Sequence, residues 1–125
     1  MKKYEVGHRW DIPEEYDEIG RVGGYGIAVK DNKLHIIGKR IFSISDSPIE
    51  SAGIIPFTGN NVSIESDLEE TFYYNPEKLY YGVIYGEKAG VFVFKKREIA
   101  FQLLDLLVDF KVNALIDMHK NKDSN

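Results

Sequence analysis

A chain of 125 residues that is 43% hydrophobic can close one core of its own and is short for two ordinary domains, so a single domain over residues 1–125 is expected. It has no cysteine, which excludes a disulfide framework, a thiolate metal site and a thiol nucleophile. The formal net charge of −4 argues against nucleic acid or anionic lipid held by overall charge, and no run of about 18 apolar residues is present to span a membrane.

Residues 1–20 read as a polar N-terminal arm. Met1 to Asp11 mixes Lys2, Lys3, Glu5, His8 and Arg9 with no apolar run behind them, so no secretory signal is expected and the cytoplasm is the expected location. Asp11, Glu14, Glu15, Asp17 and Glu18 surround Pro13, which leaves Trp10, Ile12, Tyr16 and Ile19 as anchors. Residues 21–96 read as strands. Tyr25, Ile27 and Val29 alternate with Gly24, Gly26 and Ala28, and Asp31-Asn32 then precedes Leu34 to Ile37. Asp and Asn tolerate the positive φ that a two-residue hairpin turn requires, so a hairpin is predicted there with Lys30 and Lys33 at its tip.

After the break at Ser45-Asp46-Ser47-Pro48, Ile49 to Phe57 reads as a strand closed by Pro56 and the loop Thr58-Gly59-Asn60-Asn61. Val62 to Ile64 and Thr71 to Tyr74 are predicted as two further short strands, separated by the acidic connector Glu65 to Glu70. Tyr80 to Tyr85 and Val91 to Phe94 form a second hairpin. Both faces of these segments are apolar, which suits strands in the middle of the structure rather than at its rim.

A C-terminal helix is predicted over 97–120, followed by a tail at 121–125. At 100° per residue, Ile99, Leu103, Leu107, Phe110, Ala114 and Met118 share one stripe, and Phe101, Leu104, Val108, Val112 and Leu115 share another. An ordinary surface helix has one apolar stripe roughly 100° wide, whereas this one is apolar over about twice that. One stripe can pack on a sheet and the other needs cover. The periodicity does not say which is which.

The motifs that carry chemistry are sparse. Gly20-Arg21-Val22-Gly23-Gly24-Tyr25-Gly26 fits neither common phosphate-loop pattern and precedes a strand, so its glycines are expected to admit a bend or a close backbone approach. His8, His35 and His119 lack the spacing of a zinc helix, and no serine stands in a nucleophile elbow. The acidic runs 11–18 and 65–70 lack the glycine and terminal glutamate of an EF-hand loop and read as solvated faces. Lys95, Lys96 and Arg97, with help from Lys39 and Arg40, form a candidate anion patch; a solvated strand-to-helix junction explains the same residues. No cofactor, metal or catalytic residue is expected from these patterns.

The order of elements resembles the pleckstrin-homology-like fold in its bacterial and GRAM-type forms. Ile12-Pro13-Glu14-Glu15 leading into the hairpin Gly26 to Ile37 resembles the start of those domains, Ser45 to Ile54 is similar to their third strand, and Tyr80 to Phe94 followed directly by one long helix completes the likeness. The resemblance covers about Ile12 to Met118. It implies an α+β fold, a strongly bent antiparallel sheet or partly open barrel capped by the C-terminal helix. It also implies a binding module, since such domains recognise lipids, peptides or themselves.

Together these features point to a non-enzymatic protein-interaction module that self-associates, most simply as a dimer, through Phe101, Leu104, Val108, Val112 and Leu115. One alternative is a small ligand-binding domain or enzyme with a pocket between sheet and helix lined by Tyr73, Tyr74, Tyr80, Tyr81 and Tyr85. Another is a weak binder of anionic lipid through Lys95 to Arg97. Nucleic acid is not an expected partner.

Overall fold

The computed structural model describes residues 2–44, 52–64, 71–86 and 91–109. The strands, in chain order, are Tyr4–Glu5 (β1), Asp17–Val22 (β2), Tyr25–Lys30 (β3), Lys33–Ile37 (β4), Ile41–Ser43 (β5), Ala52–Thr58 (β6), Phe72–Tyr73 (β7), Leu79–Tyr85 (β8) and Val91–Phe94 (β9). A 3-10 helix occupies Gly59–Ile64, and an α-helix (α1) runs through 97–109.

β2 to β5 form an antiparallel meander, each strand beside its successor. Its central turn is the predicted one: Asp31 and Asn32 have φ of 53° and 63°, the positive pair that keeps a two-residue hairpin in step with strand twist. Gly23 and Gly24 make the preceding turn, with Gly23 at φ 58°. β6, β8 and β9 form a second antiparallel sheet with β8 in the middle, and β1 pairs with β7 in parallel. The protein is thus α+β, with mostly antiparallel sheets and a C-terminal helix. The prediction is a strongly bent antiparallel sheet or a partly open barrel; the sheets do not close into a barrel, and among the described residues the antiparallel strands fall into two sheets.

The core lies where the two larger sheets and α1 meet. Ile27 and Ile36 from the first sheet, Val83 and Phe92 from the second, and Leu103 and Leu107 from α1 belong to one buried cluster. Tyr25 joins the sheets: its ring lies 5.4 Å from Phe92 and 5.3 Å from Phe94, and its hydroxyl accepts a 2.9 Å hydrogen bond from the Val93 amide. That bond satisfies a donor on the open side of β9 that would otherwise be buried without a partner.

Several predicted elements differ from those observed. The polar arm 1–20 contains β1 and most of β2, because pairing with β7 and β3 supplies backbone partners that local polarity does not reveal. Of its four anchors, Trp10 is buried, Ile12 packs against Gly26 and Tyr16 meets His35, but Ile19 is exposed beside the register shift between Glu18 and Gly20. Pro56 lies within β6 instead of closing it. Among the described residues β6 pairs only with β8, so an edge strand accommodates a residue without an amide hydrogen. Val62 to Ile64 belong to the 3-10 helix, not to a strand. Among the described residues β9 is an edge strand by hydrogen bonding, although Phe92, Val93 and Phe94 are buried. The connector 65–70, the break at 45–48, the turn residues 87–90, His119 and the tail 121–125 lie outside the described residues.

Candidate functional site

α1 follows β9 after a two-residue bend at Lys95 and Lys96, and its first turn is marked by the Ala100 amide donating to the Lys96 carbonyl at 3.2 Å. From 97 to 109 the sequence contains neither Gly nor Pro and includes Leu103, Leu104, Leu106 and Leu107, strong helix formers, which favours an uninterrupted helix. Contact with the sheets decides which stripe is covered. Leu103 and Leu107 are fully buried together with Ala100, and Ile99 and Leu106 pack partly against the same cluster.

The opposite stripe is left outside. Phe101 is 39% exposed and Val108 42%, with half-buried Leu104 between them. Arg97 heads this row, its guanidinium 5.2 Å from the Phe101 ring centroid, a cation–π contact that keeps the charge above an apolar surface. Residues 97, 101, 104 and 108 follow the three- and four-residue spacing of a helix–helix seam. On the solvent side of the row lie exposed Glu98, Gln102, Asp105 and Asp109. Val112 and Leu115, the other predicted members of the stripe, lie outside the described residues.

Lys95, Lys96 and Arg97 are all exposed, as expected of a strand-to-helix junction. Lys95 has neighbours that the sequence did not connect with it: a shallow recess is lined by Lys3, Tyr4, Glu5, Gly7, His8 and Lys95, among others. Folding builds this recess through the glycine cluster. The Trp10 amide donates to the Gly24 carbonyl at 2.9 Å, and Arg21 Nη1 donates to the Trp10 carbonyl at 2.8 Å. A side chain at position 24 would collide with the carbonyl of His8, so a glycine is needed there for this close approach. The glycines thus do what their sequence context implied, and the approaching backbone belongs to the N-terminal segment.

The tyrosines proposed to line one pocket differ in exposure. Tyr73 is 63% exposed, Tyr80 and Tyr85 are buried, and Tyr74 and Tyr81 are half-buried. Tyr80 accepts a 2.8 Å hydrogen bond from the Asn75 amide, and the rings of Tyr74 and Tyr80 meet edge-on at 5.1 Å, so this pair packs as structure. None of the five lines the recess.

The Tyr74 hydroxyl is buried and lacks a hydrogen-bond partner among the described residues. Burial, with smaller contributions from Tyr25 and Tyr80, raises its pKa well above the usual tyrosine value. His35 forms a 2.9 Å hydrogen bond between Nδ1 and the Lys33 carbonyl and stacks edge-on against Tyr16, a structural use of the ring. Among the described residues no group of three or more His, Asp or Glu could hold a metal ion, and no helix is long and apolar enough to cross a membrane.

Comparison with protein-family models, curated proteins and solved structures gives no match to this chain.

Proposed function

We propose that the protein is a non-enzymatic interaction module that self-associates through the exposed row of α1, with a second copy of the chain as the occupant. The observation that carries this reading is the position of Phe101, Leu104 and Val108: they leave apolar surface outside the core while Leu103 and Leu107 on the other stripe of the same helix are buried in it. Covering a large apolar side chain is worth about 1.5–3 kcal/mol, so a row of them favours a covered state.

Charge selects a second copy and an orientation. Lys95, Lys96 and Arg97 stand at one end of α1, and Asp105 and Asp109 lie about 12–18 Å further along it. Parallel packing of two such segments sets like charge against like, whereas antiparallel packing sets Lys95, Lys96 and Arg97 of each against Asp105 and Asp109 of the other. An antiparallel pair also has the two-fold symmetry of most homodimers.

The fold reading that goes with this function is the pleckstrin-homology-like one. It is supported by a four-stranded antiparallel meander followed by three antiparallel strands and then the helix. In detail the correspondence differs from the sequence alignment of elements, since β2 precedes the hairpin Gly26 to Ile37 and makes that hairpin the second and third strands of its sheet.

Sedimentation velocity over a wide concentration range tests the proposal. The expected result is a dimer whose fraction rises with concentration, and a monomer for Val108→Glu with unchanged circular dichroism. Wild-type protein that remains monomeric at the highest concentration overturns it.

A further inference from the structure

Three residues able to carry positive charge line the recess from distant parts of the chain: Lys3 and His8 flank β1 and the turn after it, and Lys95 follows β9. The recess is open and measures about 570 Å³, room for a small polyatomic anion with its water. Its one carboxylate, Glu5, does not neutralise them. Among the described residues the ion pair within 4.0 Å is Arg21 with Glu18, so none of Lys3, His8 and Lys95 has a carboxylate partner there. A concavity lined mainly by one sign of charge concentrates counter-ions even on a molecule of opposite net charge.

The site is also held in shape. The His8 ring is flanked by Tyr4 at 4.5 Å and Trp10 at 4.6 Å, and Trp10 is fixed by its main-chain bond to Gly24. The Lys2 ammonium lies 5.5 Å from the Tyr4 ring centroid, adding a further cation beside the same cluster. A donor whose ring is already positioned loses less freedom on binding than one on a free chain.

We propose that this recess binds a phosphomonoester group, with the Lys3 and Lys95 ammoniums and the His8 imidazole as donors to its oxygens. Three terminal oxygens and a charge of about −1.5 to −2 match several separate N–H donors better than a halide or a single carboxylate does. Lys95 also belongs to the basic start of α1, so Lys3→Glu is the variant that tests the recess apart from self-association.

The test uses the full chain, isotope-labelled and followed by NMR, titrated with inorganic phosphate and with chloride at matched ionic strength. Saturable shifts of the amides of residues 4–8 and 95 are expected with phosphate alone. Lys3→Glu and Lys95→Glu should each weaken binding by about tenfold or more, as expected for a lost hydrogen bond to a charged group, while Lys33→Glu at the distant hairpin tip leaves it unchanged. A second arm uses phosphatidylcholine vesicles with and without phosphatidic acid. Flotation that needs phosphatidic acid and Lys95 identifies a lipid headgroup as the source of the group; phosphate binding without flotation identifies a soluble phosphomonoester. Phosphate shifts no larger than those with chloride, or binding unchanged in both recess variants, overturn the proposal.

Discussion

Two tyrosines in one core have opposite hydrogen-bonding circumstances. The Tyr25 hydroxyl accepts from the Val93 amide, so Tyr25→Phe strands a buried donor and is expected to cost about 1–3 kcal/mol in a urea titration. The Tyr74 hydroxyl is buried without a partner among the described residues, so Tyr74→Phe removes a desolvated group and should be neutral or stabilising by up to about 1 kcal/mol. Equal destabilisation by the two substitutions would show that a partner for Tyr74 exists. The pH dependence has a definite sign. Burial raises both phenols above the ordinary tyrosine value of about 10, so unfolded tyrosine ionises before the folded residue does. Their contribution is complete below about pH 10 and is lost as pH climbs above it toward the folded values. Urea midpoints at about pH 9 and pH 11 should therefore fall more steeply for the wild type than for Tyr25→Phe.

At the scale of one element, α1 divides its apolar residues between two tasks. Leu103 contacts both sheets through the buried cluster, whereas Phe101 borders solvent beneath the Arg97 guanidinium. Leu103→Ala should cost about 2–5 kcal/mol, the range for a cavity in a close-packed core. Phe101→Ala in dilute solution should cost well under half of that and should act mainly on association. Thermal unfolding of the two variants at low concentration separates these effects, and comparable losses would mean that the exposed row is part of the fold itself. β6 also exposes part of itself: Ile55 and Pro56 are both exposed, and the described residues pair β6 with β8 alone, a setting in which a missing amide hydrogen does least harm.

For the molecule as a whole, association and folding are linked. If two folded copies bind through α1 and unfolded chains do not, the midpoint of thermal unfolding must rise with protein concentration. Calorimetry at low and high concentration should show that rise for the wild type and none for Val108→Glu. High salt should reduce the difference, because the pairing of Lys95, Lys96 and Arg97 with Asp105 and Asp109 of the other copy is screened over about 8 Å at physiological ionic strength and over less at higher salt. A rise of the same size in Val108→Glu would place the interface elsewhere.

Local sequence determined the features whose physics is local. Asp31-Asn32 specified a hairpin because those side chains tolerate positive φ, and the spacing of Leu103 with Leu107 and of Phe101 with Val108 separated two stripes because a helix repeats every 3.6 residues. The double-striped helix, the alternation in β3 and the glycine-dependent close approach were legible in this way. Tertiary structure decided what depends on partners distant in the chain. Only packing against the two sheets selected Leu103 and Leu107 as the covered stripe, and only pairing with β7 made a strand of Tyr4 and Glu5 in a polar segment. The recess has the same origin: Lys3 and Lys95 are separated by most of the sequence, and no periodicity relates them. They meet because Gly24, lacking a Cβ, lets the His8 backbone settle against the first sheet and carries β1 to the start of the helix.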